Sequence, residues 1–327
     1  MEYKVAKDDY IHGGTQKDFY TDREVEKCNC PLCGSTDFVT IYKERGSIGL
    51  AQCKACNLVY ANPRVINAEE NYHGDASVYF EEARLIFKGK KKHHRDRNYE
   101  YELQEIKKFK PTGKLLDIGT NMGFFLRKAK EFGFEVEGVE PSPSLSKIAF
   151  EQFSLKIHND YFMAKDFAAK SMDVITMIDV FEHVTNPRDL LSSAHQVLKD
   201  DGIMCIKVPN ANYNILKLKL AQRSGREASH DIFNSYEHVV HYTPETMKAM
   251  LKTGGFRIKK LILPLPIHPP LWSGLVGHYY QYPSPAILDW KRILVRNIFY
   301  NIGKLQKLLG LKISFAPDLM FIIEKEG

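Results

Sequence analysis

Two sets of residues in this chain could do chemistry by type and spacing. The first is a double pair of cysteines, Cys30-Pro-Leu-Cys33 and Cys53-Lys-Ala-Cys56, with nineteen residues between the pairs. Two C-x-x-C knuckles at this spacing point to a tetrahedral zinc site with Cys30, Cys33, Cys53 and Cys56 as ligands. Four thiolates leave no open coordination position, so the expected zinc ion is structural. Gly34 suits a tight turn that aims backbone amides at the sulfurs. Cys28 competes with Cys30 as a ligand, and Cys30 is preferred because it makes the two-residue spacing. Cys205 lies in an apolar run and reads as core.

The second set lies in KLLDIGTNMGFFL, residues 114–126. An apolar strand ends at Asp117, the turn runs Gly119-Thr120-Asn121-Met122-Gly123, and a helix follows. Gly119 lets backbone approach a ligand and Gly123 lets helix and strand pack. The helix N-terminus offers unpaired N–H groups to an anionic group. A second strand ends about twenty residues later at Glu140, where a carboxylate can take both hydroxyls of a ribose. An ordinary tight turn is the alternative, and the agreement of strand, glycines, helix and spaced acid argues against it.

The dinucleotide fingerprint G-x-G-x-x-G is not met. The stretch resembles the class I S-adenosylmethionine (SAM) dependent methyltransferases, with Asp117, Gly119, Gly123 and Glu140 matching their pattern. Asn121 replaces the middle glycine and, after glycine, best tolerates a left-handed backbone. The resemblance extends over most of residues 112–263, through IDVFEHVTNPRDLL (178–191), VLKDDGIMCIKVPN (197–210) and EHVVHYTPETMKAMLKTGGF (237–256). It implies SAM as cofactor, held by Asp117, Gly119, Thr120, Asn121, Gly123 and Glu140. Asp179 and Val180 would lie beneath the adenine and methionine. Asn159 and Asp160 are candidates for the adenine amino group, with a simple turn as the alternative. The cysteine pairs followed by NLVYANPR (57–64) are similar to a zinc-ribbon subgroup of bacterial sugar and natural-product methyltransferases. That subgroup includes C-methyltransferases of nucleotide-linked deoxysugars and often carries a further C-terminal domain, which this chain is too short to hold in full.

The methyl acceptor would need to lose a proton, a task that suits histidine near neutral pH. His183 follows Glu182 just past the carboxyl end of a strand, where parallel sheets bind ligands. Tyr236-Glu237-His238 is the second candidate group and resembles a tyrosine–glutamate–histidine cluster of the sugar C-methyltransferases. The structural alternatives are a capped turn at His183 and a buried hydrogen-bonded loop at 236–238. The expected reaction is methyl transfer to oxygen or carbon of a small acceptor that is sugar-like or nucleotide-linked. Two rivals stand beside it: an RNA methyltransferase that reads nucleic acid with its zinc ribbon, and a non-catalytic binding module of the same fold. Ile178-Asp179-Val180-Phe181 stands where an N-P-P-Y-like motif would mark exocyclic amine methylation.

These residues need a scaffold, and strand-like and helical segments alternate from 115 onward. Strands are expected at 115–119, 134–140, 155–158, 172–179, 202–210, 256–263 and 319–326, with helices at 122–133, 144–153, 188–200 and 243–255. That order implies an α/β fold, a Rossmann-like seven-stranded sheet whose last strand is antiparallel, fronted by a small N-terminal zinc ribbon. The division reads as a polar arm at 1–27, the ribbon at 28–63, a helical linker or lid at 64–111, and the SAM-binding domain at 112–327 with an insertion at 264–316.

The basic run KGKKKHHRDR (88–97) reads as a solvated helix face, or a contact for a nucleotide diphosphate or RNA. In the insertion, Ile287, Trp290, Leu294, Ile298, Leu305 and Leu309 recur near helical spacing with Lys and Arg between them. Extra core cover is the leading reading, ahead of a lid, a dimer face or a membrane-surface helix over 285–310. The chain's 327 residues are 44% hydrophobic, with a formal net charge of +6. That balance gives no strong nucleic-acid signal. The N-terminus lacks an apolar leader, and prolines 264, 266, 269 and 270 break the apolar stretch near 261–275, so a cytoplasmic protein is expected.

Overall fold

The computed structural model describes residues 19–68, 83–90, 93, 95–224, 232–264 and 286–327. The chain opens with short strands β1 (Val25–Glu26), β2 (Phe38–Glu44), β3 (Ile48–Cys53), β4 (Val59–Ala61) and β5 (Arg64–Val65). β2, β3 and β4 form an antiparallel meander, and β1 pairs with β5. One cysteine knuckle precedes β2 and the other joins β3 to β4. Left-handed Gly34 (φ +74°) and Asn57 (φ +62°) close them, their amides donating to the carbonyls of Cys30 and Cys53.

Helix α1 (Asp96–Lys107) leads into the alternating part. It comprises β6 (Gly113–Ile118), α2 (Phe124–Glu131), β7 (Phe134–Val139), α3 (Pro143–Phe153), β8 (Lys156–His158), β9 (Met172–Ile178), α4 (Pro187–Val197), β10 (Leu198–Pro209), α5 (Ala211–Arg223), β11 (Val240–His241), α6 (Pro244–Thr253), β12 (Phe256–Ile262), α7 (Ala286–Leu308) and β13 (Asp318–Lys325). The main sheet has seven strands in the order β12-β13-β10-β9-β6-β7-β8. β13 is antiparallel to both neighbours, while β10, β9, β6, β7 and β8 pair in parallel. This is the expected seven-stranded Rossmann-like sheet. Central residues such as Leu115, Leu116, Val174 and Ile175 are fully buried, as strands covered by helices on both faces must be. α6 begins on a reciprocal cap: Thr246 N–H donates to Thr243 Oγ1 (3.2 Å) and Thr243 N–H to Thr246 Oγ1 (2.9 Å).

The ribbon shares its core with the main sheet. Cys30, Leu32, Leu58 and Tyr60 pack in one apolar cluster with Phe181, Val239, Tyr242 and Met247. β11, almost two hundred residues later, adds to the meander as a fourth strand, pairing Val240 with Tyr60 and His241 with Val59.

Three local expectations differ from the structure. α5 was not anticipated, because ILKLKL within it alternates with a period of two and hides its helical character. The basic run 88–97 is not one solvated helix face: residues 88–90 form a turn, α1 starts only at Asp96, and Arg95 turns inward. The insertion does form a helix, but Leu294, Ile298, Leu305 and Leu309 are exposed rather than core, and its buried side carries Tyr300 and Gly303. The side chains of Ile287 and Trp290 and the stretch PPLWSGLVGHYYQYP lie outside the described residues. Among the described residues, no helix is long and apolar enough to cross a membrane.

Candidate active site

The turn after β6 takes the backbone its composition suggests. Gly119, Asn121 and Gly123 all have positive φ, at +74°, +52° and +80°. Asn121 thus adopts the left-handed conformation that a middle glycine would supply, and its Oδ1 accepts from the Met122 amide (2.7 Å). The amides of Gly119 and Thr120 both donate to the Val139 carbonyl, tying the turn to the end of β7. A Cβ on Gly119 would come 2.5 Å from Val180 Cγ2, and one on Gly123 would come 2.6 Å from Leu155 Cδ1. The first glycine therefore makes room for the segment after β9, the second for α3.

Glu140 clamps this turn. Its Oε2 accepts from the Asn121 amide (2.8 Å) and its Oε1 from the Ser142 amide (2.9 Å). Burial outweighs those two bonds and pushes Glu140 up to about 7. Asp117 is likewise raised by burial to about 7, while accepting from Thr176 Oγ1 (2.6 Å). Asn159 donates its amide group to the carbonyls of Glu140 (2.9 Å) and Pro141 (3.1 Å), which leaves its Oδ1 as an acceptor at the rim. Asp160 accepts from the Tyr161 amide beside it (2.7 Å).

Sequence reasoning missed a buried charge cluster on the other side of the turn. Asp179, left-handed at φ +56°, pairs with the Arg95 guanidinium and lies 3.3 Å from Lys207 Nζ. Lys207 in turn lies 3.2 Å from Glu102 on α1, and both of these side chains are at most 1% exposed. Burial alone would raise Asp179, but the cations of Arg95 and Lys207 hold it well below the usual carboxylate range. Glu102 faces the Lys207 ammonium, with the Arg95 charge also near, yet burial outweighs both cations and raises its pKa. The available signal was Lys207 itself, a lone charge in the apolar run GIMCIKVPN, since a buried lysine needs a buried acid.

Past Asp179 the chain makes a single tight turn, Phe181–His183. It presents Glu182 and His183 to His238, whose loop precedes β11. The Glu182 carboxylate and the two imidazoles bring ligating atoms within 4.8 Å of one another. The His183 and His238 rings meet edge to face at 4.7 Å between centroids. His183 Nδ1 lies 3.1 Å from the Glu237 carbonyl. That oxygen can only accept, so Nδ1 carries a proton. Burial lowers His238 to about 4 and neighbouring His241 to about 3, so both rings are neutral at pH 7. Among the described residues, both Glu182 oxygens are buried without hydrogen-bond partners, and burial raises its pKa strongly. Such a cluster can take a proton from a hydroxyl or acidic carbon that enters it. Tyr236 lies under the Arg45 guanidinium of the ribbon (4.2 Å to the ring centroid).

The four paired cysteines come together as their spacing suggests. Cys30 Sγ is 3.5 Å from Cys56 Sγ, and Cys33 Sγ is 3.5 Å from Cys53 Sγ. All four sulfurs lie within 4.8 Å of one another and none is in a disulfide. Zn–S bonds of about 2.3 Å in a tetrahedron give sulfur separations of roughly 3.8 Å, so the set fits a zinc ion. The amides of Leu32 and Cys33 point at Cys30 sulfur, and those of Ala55 and Cys56 at Cys53 sulfur. Burial still pushes the Cys30 thiol up to about 11, a cost that a divalent cation would offset. Cys28 stands outside the set, its sulfur 3.6 Å from the Ala61 carbonyl.

Residues 92–261, just over half of the chain, match the family model described as a methyltransferase domain. A ubiquinone biosynthesis O-methyltransferase of Cereibacter sphaeroides is 31% identical over 104 residues, 30% of this chain and 42% of that protein. An uncharacterized protein of Methanocaldococcus jannaschii is 27% identical over 143 residues, 44% of this chain and 62% of its own. The chain thus spans under half the length of the first of these relatives and under two thirds of the second. Among solved structures, a SAM-dependent methyltransferase from Archaeoglobus fulgidus aligns over 76% of this chain and 99% of its own, at 24% identity and a TM-score of 0.46.

Proposed function

The chain belongs to this methyltransferase-domain family, and from that premise we propose that it transfers a methyl group from SAM to a small, sugar-like or nucleotide-linked acceptor. When bound, SAM supplies a sulfonium-activated methyl group. Glu140 would take the ribose hydroxyls, and Asn159 Oδ1, with Asp160 beside it, would accept from the adenine amino group. The left-handed turn from Gly119 through Thr120 and Asn121 to Gly123 brings backbone close to the cofactor. Asp117 backs that turn, and Val180 packs against Gly119. Asp179, fixed by Arg95 and Lys207, would form the floor at the methionine end.

The observation that carries the acceptor half is the cluster of Glu182, His183 and His238 at the carboxyl edge of the sheet. The neutral His238 imidazole beside His183 and the buried Glu182 carboxyl suits removal of a proton from the acceptor as the methyl arrives. Oxygen is favoured over carbon because the curated relatives include an O-methyltransferase. The ribbon would serve as a structural element, with a zinc ion held by Cys30, Cys33, Cys53 and Cys56 and Glu237 and Tyr236 shaping the acceptor wall.

The test is a saturating screen of nucleotide sugars, free sugars and phenolic acceptors with SAM-loaded protein, read as S-adenosylhomocysteine formed. Turnover that falls at least a hundredfold in His183→Asn or His238→Asn, with SAM affinity kept, is the expected result. A protein that binds SAM and turns over none of the panel would count against the reading.

A further inference from the structure

We propose that the cysteine ribbon forms one wall of the acceptor site, with Glu44 as a positioning residue for the loop that carries Tyr236, Glu237 and His238. The inference rests on the reading that this loop faces the acceptor. Glu44 ends β2 and is only 2% exposed. Its Oε1 accepts from the Phe233 amide (2.8 Å) and its Oε2 from the Ser235 amide (2.7 Å), across almost two hundred residues of sequence. Two N–H donors meeting two oxygens require a carboxylate, because a glutamine would turn an NH2 group toward one of them. The next residue, Arg45, lays its guanidinium over the Tyr236 ring.

The ribbon holds the other end of the loop as well. The Ala61 amide donates to the Val239 carbonyl (2.9 Å), and β11 pairs with β4. Between these two grips the loop turns on Asn234, whose carbonyl accepts from the amides of Glu237 and His238. The Glu237 carbonyl then accepts a hydrogen bond from His183 Nδ1. Glu44 therefore acts through the loop on both histidines and touches neither. The meander that closes around the four cysteines also fixes the proton-accepting face.

The full-length protein and its Glu44→Gln and Glu44→Ala variants decide this by three readouts that need no acceptor. Amide hydrogen exchange at 232–241 should speed up at least tenfold in both variants, while 113–123 keeps its protection. The His238 ring, followed by NMR, should titrate above its buried value of about 4 and move toward an ordinary 6.5. SAM affinity by calorimetry should stay within twofold. Stripping the metal from the wild-type protein with a chelator should reproduce the exchange pattern. Unchanged exchange at 232–241 in Glu44→Gln overturns the proposal, and so does equal loss of protection at 113–123. Should Glu44→Ala fail to fold, the near-isosteric Gln variant carries the decision. The acceptor screen fails or succeeds independently: no turnover with normal loop protection sinks the proposed function and leaves this coupling standing.

Discussion

Replacing Gly119 by alanine tests the cofactor turn at its tightest point. The residue sits at φ +74°, where an L-residue costs roughly 1–2 kcal/mol. The new Cβ would also lie 2.5 Å from Val180 Cγ2, an overlap that costs about 1–3 kcal/mol to relieve. The total of roughly 2–5 kcal/mol must appear somewhere. If the turn keeps its shape, the folded state loses stability. If the turn relaxes, SAM binding weakens, by about 30-fold for a 2 kcal/mol share. Urea unfolding and calorimetric titration with SAM, on the same preparations, capture both shares. The expected sum is at least about 2 kcal/mol for Gly119→Ala. The double variant Gly119→Ala/Val180→Ala should recover the overlap share and keep the backbone share. A single variant whose stability and SAM affinity both stay within about 0.5 kcal/mol of wild type would refute the steric argument. A double variant no better than the single would show that Val180 is not the obstacle.

Three further predictions follow from the buried groups. Lys207→Met strands Glu102 without its cation and should cost about 3–5 kcal/mol, whereas Lys207→Met/Glu102→Leu should recover most of that loss in thermal melts. Glu140 has a folded pKa of about 7 against an ordinary value near 4.5, so the stability linked to its protonated form is full below about pH 4.5 and is lost as pH rises through 7. That slope is worth about 3 kcal/mol at most, and unfolding measured from pH 4.5 to 8 should show it reduced in Glu140→Gln, with the Asp117 share remaining. Purified protein should carry one zinc ion per chain by elemental analysis, and Cys53→Ser should lower that content; a fully loaded Cys53→Ser protein would argue against the four-thiolate site.

Much of the turn after β6 was legible because its signals are local. The strand, the left-handed turn and the capping acid occupy residues 114–140, and glycine, asparagine and proline report backbone conformation directly. The cysteine pairs were legible for the same reason, as was the helix after Thr243. The acceptor side was legible only as candidates. His183 and His238 are separated by fifty-four intervening residues, and nothing in either segment says that their rings meet. Arg95 was hidden inside a lysine-rich run whose usual fate is solvation. Helix α7 kept its periodicity, yet the sequence could not say whether its apolar stripe faces the core or water, and the structure leaves Leu294, Ile298, Leu305 and Leu309 exposed.

By itself the sequence determined most of the alternating strands and helices, the left-handed turn at Gly119–Gly123 and the two cysteine knuckles, since each depends on residues within a few positions of one another. Tertiary structure alone decided that Asp179 shares its charge with Arg95 and Lys207, and that Glu182, His183 and His238 face one another. It also decided that Glu44 of the ribbon holds the loop before β11. Those pairings join segments tens to almost two hundred residues apart. The energy that selects them comes from burying charges beside their counter-charges and amides beside a carboxylate. That energy exists only once the sheet and ribbon have packed into one core.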